Sequence, residues 1–140
     1  MTPVLLDTVT VSELRRAEHR MHPGVRAWQR GVGASFISVI TLNELRYGMR
    51  KVEPRDPVFS AQLVAWYAQI VARPQTFRIL NVDRAIAEFA ADFRAFHDTP
   101  LEDSLIAATA KVHNLTLATR NTADFQPCGI SVVNPWDFAP

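Results

Sequence analysis

The chain has 140 residues, the length of one ordinary domain, and apolar side chains make up 48% of it. That share is enough for one hydrophobic core and argues against an intrinsically disordered chain. Fifteen basic residues nearly balance fourteen acidic ones, so the net charge of +1 says little about partners. A nucleic-acid interface would therefore depend on a local basic surface rather than on the total charge.

The cysteine content and the apolar runs indicate the compartment. Cys128 is the single cysteine, so no intramolecular disulfide forms, which fits a reducing environment. The first residues lack the basic region and the long apolar region of a signal peptide. No apolar run approaches the roughly 20 residues that a membrane helix needs. We therefore expect a cytoplasmic protein without a membrane segment.

Short apolar segments alternate with helical patterns in chain order. Strands are predicted at residues 4–6, 35–39, 77–80, 115–119 and 130–133. Helices are predicted at 12–16 with Ser12 as the cap, at 23–30, from Thr41, after Pro57, from Asp83 and from Pro100 to about Asn114. This alternation predicts an α/β fold in one domain, residues 1–140, with a short, mostly parallel sheet covered by helices on both faces.

Four acidic residues follow the predicted strands or begin the helices after them. Asp7 comes directly after the first strand, and Glu44 lies on the first turn of the helix after the second. Asp103 lies on the first turn of the helix after Pro100, and Asp124 lies in the loop after the fourth strand. Parallel sheets bind ligands at the carboxyl ends of their strands, and clustered carboxylates repel unless a cation neutralises them. Oxygen ligands of this kind favour Mg²⁺ or Mn²⁺.

Each acid also has a local structural explanation. Asp7 can simply end a strand, and Asp124 can make a turn. Thr41 and Glu44 match a capping box, and on local grounds that interpretation is favoured for Glu44. Asp103 near a helix N-terminus is stabilised by the helix dipole. The metal-site hypothesis therefore depends on the placement of all four acids together.

Six segments form a characteristic series along the chain: LLDT at residues 5–8, SEL at 12–14, NELRYG at 43–48, EDSLIAATA at 102–110, ATRNTADF at 118–125 and VNPW at 133–136. In this order they resemble the PIN-domain family, and within it the VapC-type toxins of bacterial type II toxin–antitoxin pairs, including the FitB-like subgroup. The resemblance covers the whole chain. The segments around Asp103 and Asp124 are its most specific parts.

The resemblance implies a three-layer α/β/α fold and an endoribonuclease that depends on Mg²⁺ or Mn²⁺. It assigns Asp7, Glu44, Asp103 and Asp124 as the catalytic metal ligands, with the main metal position between Asp7 and Asp103. The expected substrate is tRNA or ribosomal RNA, cleaved by metal-activated water. The expected partners are a second copy of the chain and a small VapB- or FitA-like antitoxin that carries a DNA-binding domain.

Five further residues near the acidic motifs are candidates for supporting roles. Thr8, Thr119 and Asn121 are candidate hydrogen-bond partners of the site, with local turn bonding as the equal alternative. Arg46 and Arg120 are candidate RNA contacts, because cations dominate the affinity for a phosphate backbone. Arg120 is the stronger candidate of the two, since it lies between two site motifs.

The remaining basic and aromatic residues near the motifs have structural explanations. A solvated helix face is the favoured interpretation for Arg15, Arg16, Arg50 and Lys51. The helical spacing around Trp66 predicts a position in the core or in a dimer interface. Trp136 is expected to pack the C-terminal tail.

One position departs from the family pattern. The first motif of the family commonly continues Asp-Thr-Asn, whereas Val9 occupies the third position here. The hypothesis is that Val9 lowers turnover or changes substrate handling. An alternative function follows: a catalytically impaired PIN-like module that acts through its partner. A phospho-accepting receiver domain is disfavoured, because Asp7 has no acidic neighbour and no lysine follows Lys111.

Overall fold

A computed structural model describes residues 2–139, so Met1 and Pro140, the two ends of the predicted domain, lie outside the described residues. The strands are β1 (Val4–Leu6), β2 (Ser35–Ser38), β3 (Arg78–Leu80), β4 (Thr116–Ala118) and β5 (Val132–Val133). The helices are α1 (Thr8–Leu14), α2 (Pro23–Gln29), α3 (Val39–Val52), α4 (Pro57–Ala72), α5 (Arg84–His97), α6 (Leu101–Val112) and α7 (Thr122–Phe125). Short 3-10 turns follow at Gln126–Cys128 and Pro135–Asp137.

The five strands form one sheet in the order β3-β2-β1-β4-β5. All four pairings within the described residues are parallel, so the sheet is fully rather than mostly parallel. From β1 the chain moves outward to β2 and β3, and then crosses to the other side of β1 to form β4 and β5. The carboxyl ends of β1 and β4 therefore flank a topological switch point, where open α/β sheets form their binding crevices.

Two hydrophobic clusters cover the two faces of this sheet. On one face Leu5 and Leu117 pack with residues of α5 and α6. On the other face Val4 and Leu6 pack with residues of α1, α2 and α4. The alternation along β1 follows from the two-residue period of a strand, and a central strand buried on both faces needs apolar residues at every position. The predicted three-layer α/β/α architecture is confirmed.

Two predicted helix starts are wrong, and in both cases an earlier residue caps the helix. Helix α1 begins at Thr8 with Asp7 as its cap, so Ser12 lies inside the helix rather than at its start. Helix α3 begins at Val39, where the Ser38 hydroxyl accepts a hydrogen bond of 3.0 Å from the Ile40 N–H. In both places the chain turns directly from strand to helix, because the last strand residue or the next one supplies a capping oxygen.

Helix α4 stands out because it carries no charged side chain over 16 residues. Its buried residues include Ile70, while Val58, Val64 and Val71 are exposed. Trp66 is partly buried against the core cluster on this face of the sheet, as its helical spacing predicted. Within residues 2–139, no helix is both long enough and apolar enough to cross a membrane.

Candidate metal centre

Asp7 lies at the carboxyl end of the central strand and is held by the helix that follows. Its side chain is only 8% exposed. Its Oδ1 atom accepts hydrogen bonds of 2.9 Å from the Thr10 N–H and 2.7 Å from the Thr10 hydroxyl. The same hydroxyl lies 2.9 Å from the Ala118 carbonyl oxygen of β4. One oxygen of Asp7 is thus fixed, while its Oδ2 atom has no hydrogen-bond partner among residues 2–139.

The second side-chain oxygen of Asp7 is not completely buried. No buried side-chain nitrogen or oxygen within the described residues lacks a hydrogen-bond partner. Because Oδ2 has no such partner, it is not one of the fully buried atoms. Asp7 therefore combines one oxygen anchored in the fold with one that makes no hydrogen bond within residues 2–139, an arrangement suited to binding a cation.

Glu44 lies on α3, in the second turn, and contacts the start of α1. The Thr8 hydroxyl donates a hydrogen bond of 2.9 Å to Glu44 Oε1, and the Thr41 hydroxyl lies 3.3 Å from that of Thr8. The capping-box interpretation of Glu44 is therefore wrong. Thr41 is not the cap, because α3 begins two residues earlier, and the Glu44 carboxylate points across to α1 instead of back to its own helix start.

Asp103 occupies the first turn of α6, as predicted, beside the exposed Glu102. Pro100 caps this helix without a side-chain hydrogen bond. Asp124 is exposed and lies in the four-residue helix α7 rather than in an open loop. The turn between β4 and α7 is local, because the Thr119 hydroxyl accepts a 3.1 Å hydrogen bond from the Asn121 N–H. The Thr119 side chain therefore bonds within the local turn, and Asn121 is the N-cap residue of α7.

The electrostatic coupling shows that the four predicted acids form one group with a fifth, Glu102. The pKa of Glu44 is raised mainly by burial, and the Thr8 hydrogen bond opposes this rise. Repulsion from Glu102, Asp103 and Asp7 raises the pKa further. Burial also raises the pKa of Asp103, followed by repulsion from Asp124, Asp7 and Glu102. We call these five residues the acid cluster.

No cation of the chain neutralises the acid cluster within the described residues. None of the four ion pairs found there includes a member of the cluster. Among residues 2–139, no three carboxylate, imidazole or thiolate groups lie close enough together to hold a metal ion as they stand.

Both arginines predicted to contact RNA lie near aromatic rings. The Arg120 guanidinium lies 5.4 Å from the centre of the Trp136 ring, so Trp136 does more than pack the tail. The Arg46 guanidinium lies 5.9 Å from the centre of the Tyr67 ring on α4. Val9, in the position where the family pattern has asparagine, is 46% exposed in the first turns of α1.

Sequence reasoning missed two residues of this region. Glu102 was not singled out, although its position next to Asp103 in the first turn of α6 was a usable signal. Thr10 was missed because its role depends on a contact with β4, more than 100 residues away in the chain. No local pattern indicates such a contact.

Comparison with known proteins places the chain in a family. The family model described as "PIN domain" matches residues 4–126. The "VapC ribonuclease Y4jK" of Sinorhizobium fredii is 32% identical, covering 97% of this chain and 99% of that protein.

Two solved structures are similar over nearly the full chain. The crystal structure of FitAcB from Neisseria gonorrhoeae has a TM-score of 0.79 at 31% identity, covering 96% of this chain and 99% of that one. A toxin–antitoxin complex from Klebsiella pneumoniae has a TM-score of 0.66 at 29% identity, covering 96% and 99%. With an acid cluster at the switch point of a parallel sheet and a family match over most of its length, the chain belongs to the PIN-domain family.

Proposed function

We propose that the chain is an endoribonuclease dependent on Mg²⁺ or Mn²⁺ and the toxin component of a type II toxin–antitoxin pair. The proposal depends mainly on the acid cluster at the switch point. The pKa values of Glu44 and Asp103 are raised, and no lysine or arginine among residues 2–139 forms an ion pair with the cluster. The similar protein named VapC ribonuclease supports the assignment of the activity. PIN-domain membership supports a nuclease in general terms.

The donor set of the acid cluster fits a hard divalent cation. Its donors are all carboxylate oxygens, which Mg²⁺ and Mn²⁺ prefer. Cys128 also interacts with Asp103, but it is one buried thiol beside Thr99 rather than the set of histidines and cysteines typical of zinc sites. Asp7 and Asp103 would be the most direct ligands. Glu44 and Asp124 would complete the site, hold a second ion or orient the attacking water. A bound cation of this kind lowers the pKa of water and neutralises charge on the scissile phosphate.

The neighbouring hydroxyl groups would keep the carboxylates in position. Thr10 fixes one oxygen of Asp7, so that the other oxygen remains available to a cation. Thr8 holds Glu44 Oε1 and so limits the positions that this carboxylate can adopt. Partners of metal ligands fixed in this way commonly change metal affinity or activity about 10–100-fold when they are removed.

RNA binding would rest on cations beside the acid cluster. Arg120 directly follows Thr119 at the end of β4 and is exposed, so it can reach a phosphate near the cluster. Arg46 lies on the same helix as Glu44 and would contact RNA further from the centre. Asn121 is exposed at the start of α7 and would contribute an amide hydrogen bond.

The partners follow from the similar structures. The structure from Klebsiella pneumoniae is described as a toxin–antitoxin complex, which supports a small antitoxin as the partner of this chain. We expect that antitoxin to be VapB- or FitA-like and to bind DNA. A homodimer is proposed as well, with the uncharged helix α4 as its candidate interface. The cytoplasm, where both RNA and antitoxin occur, is the expected compartment.

The test is the cleavage of a tRNA mixture with Mg²⁺, with Mn²⁺ and with EDTA. The wild-type chain is expected to cleave only with metal. Asp103→Asn should lower the rate about 100-fold or more, because losing a ligand removes several kcal/mol of transition-state stabilisation. Asp92→Asn is the matched control, since Asp92 is exposed on α5 and outside the acid cluster. Full cleavage by Asp103→Asn would refute the proposal.

A second candidate function, a catalytically impaired module that only binds a partner, is favoured by one observation. Val9 presents an exposed apolar side chain two residues after Asp7, where the family pattern has an amide. Mn²⁺ distinguishes the two functions, because a binding module cleaves no RNA at any Mn²⁺ concentration. Retention of an unpaired acid cluster favours the nuclease, since such a cluster is costly to keep without a cation.

A further inference from the structure

A basic cleft lies between α1 and the tail that follows β5. Its volume is about 220 Å³, and we call it the α1 cleft. Its lining residues are Val9, Ser12, Glu13, Arg15, Arg16, Arg120 and Trp136. With three arginines and one glutamate, the lining has a net charge of +2. The cleft therefore has the opposite charge to the acid cluster.

The three arginines of the α1 cleft are held differently. Arg16 forms an ion pair of 3.1 Å with Glu13, and the Arg15 guanidinium lies 5.6 Å from the centre of the Phe59 ring. Arg120 lies over Trp136 and forms no ion pair within residues 2–139. The charge of Arg120 is therefore not offset by a carboxylate within residues 2–139, and its planar guanidinium lies near an aromatic ring.

The chain connects the α1 cleft to the acid cluster at two points. Val9 is two residues after Asp7, and Arg120 is four residues before Asp124. Both residues therefore follow the two strand ends that flank the switch point, β1 and β4. The α1 cleft and the acid cluster therefore adjoin the same edge of the sheet.

We propose that the α1 cleft binds the nucleotide next to the cleaved bond of a single-stranded RNA, with its base stacked on Arg120 and its phosphate on the cleft's arginines. The proposal rests on the proposed ribonuclease function and extends it. Unpaired bases stack on aromatic rings and on guanidinium planes, and the exposed Val9 adds an apolar wall. We commit to the RNA substrate as the occupant because Val9 and Arg120 of the cleft follow the same two strand ends as Asp7 and Asp124 of the acid cluster.

The test measures the binding of a fluorescently labelled single-stranded oligoribonucleotide by anisotropy, in EDTA, at several salt concentrations. Arg120→Ala should weaken binding about ten-fold and reduce the slope of log affinity against log salt by about 0.7, the value for one phosphate contact on a single strand. Arg78→Ala is the matched control, because Arg78 also lies over a ring, that of Phe36, at the amino end of β3. It should bind within about two-fold of wild type.

Arg120→Lys separates stacking from charge. Lysine keeps the charge but lacks the planar guanidinium, so the salt slope should stay at the wild-type value while affinity falls several-fold. Wild-type affinity for Arg120→Lys would overturn the stacking part of the proposal. Wild-type affinity for Arg120→Ala would overturn the RNA subsite as a whole and leave the α1 cleft to an acidic protein segment.

A parallel cleavage assay keeps the two proposals apart. The same oligoribonucleotide is incubated with the wild-type chain and Mn²⁺. Metal-dependent cleavage together with unchanged binding by Arg120→Ala refutes the α1 cleft alone. If the wild-type chain cleaves neither this oligoribonucleotide nor the tRNA mixture, the proposed function fails, whatever the binding result.

Discussion

Replacing Thr10 with valine isolates the hydroxyl group that holds Asp7 in place. The two side chains have nearly the same shape, and Thr10 is fully buried, so the change mainly removes one oxygen. That oxygen donates to Asp7 Oδ1 at 2.7 Å and lies 2.9 Å from the Ala118 carbonyl of β4. The variant therefore tests whether this link between β1 and β4 positions the metal ligand.

The expected loss of stability follows from the remaining hydrogen bonds. A hydrogen bond to a charged group contributes about 1.5–3 kcal/mol. Asp7 Oδ1 keeps the Thr10 N–H at 2.9 Å, and the Ala118 carbonyl still accepts from the Asp7 N–H at 3.2 Å. Neither acceptor is left without a partner, so we expect a loss of about 2 kcal/mol, in the lower half of that range. At about 3 °C per kcal/mol, the melting temperature should fall by about 6 °C.

The assay has two readouts. Thermal unfolding in EDTA measures the structural part. The Mn²⁺ concentration for half-maximal RNA cleavage measures the positioning part, and it should rise about 10–100-fold. Thr10→Ser is the matched control, because it restores the hydroxyl and should recover most of the Mn²⁺ affinity. A Thr10→Val variant with the melting temperature and the Mn²⁺ midpoint of wild type would refute this account of Asp7.

Three further predictions concern charge, the family departure and packing. Burial and neighbouring acids raise the pKa of Asp103 above its ordinary value of 3.8. Between the ordinary and the raised pKa, Asp103 binds more protons in the folded than in the unfolded chain, so its contribution to stability falls as the pH rises through that range. Asp103→Asn should therefore have the higher melting temperature in EDTA at pH 7, with the difference closing toward pH 4; a lower melting temperature at pH 7 would contradict this. Val9→Asn should raise the turnover number for RNA about ten-fold, which corresponds to about 1.4 kcal/mol from one added hydrogen bond. A turnover number within two-fold of wild type would count against the hypothesis that Val9 lowers turnover. Gly24→Ala should lower the free energy of unfolding by about 1–3 kcal/mol in urea titrations, because the added methyl group would lie 2.6 Å from the Trp136 carbonyl oxygen and 2.8 Å from that of Pro135. An unchanged free energy of unfolding would show that the backbone at residues 135–136 moves away without cost.

The strand and helix order was predictable from the sequence because buried parallel strands need continuous apolar runs. All three residues of β1 and the last two of β4 are buried, and these segments were assigned as strands. The ends of the elements were less predictable. Ser38, Asp7 and Thr41 all have capping side chains, and which of them caps a helix depends on where the sheet pairing stops.

The proximity of the acids was predictable from their placement after strands, but their individual contacts were not. Glu44 looked like a capping residue, because the local pattern with Thr41 is the same whether or not α3 begins there. Its actual partner, Thr8, lies 36 residues earlier in the chain. The stacking of Arg120 on Trp136 likewise depends on how the tail folds back onto β4 and α1. Contacts of this length follow from packing rather than from local sequence.

The measurement that tests the central claim most directly is the rate of RNA cleavage by the wild-type chain and by Asp7→Asn, titrated with Mn²⁺. Asp7 is the member of the acid cluster that the fold holds most firmly, through Thr10. We expect no cleavage by wild type in EDTA, a saturable rise with Mn²⁺, and a rate for Asp7→Asn at least about 100-fold lower at every Mn²⁺ concentration. Cleavage by wild type that persists in EDTA, or wild-type rates for Asp7→Asn, would contradict it.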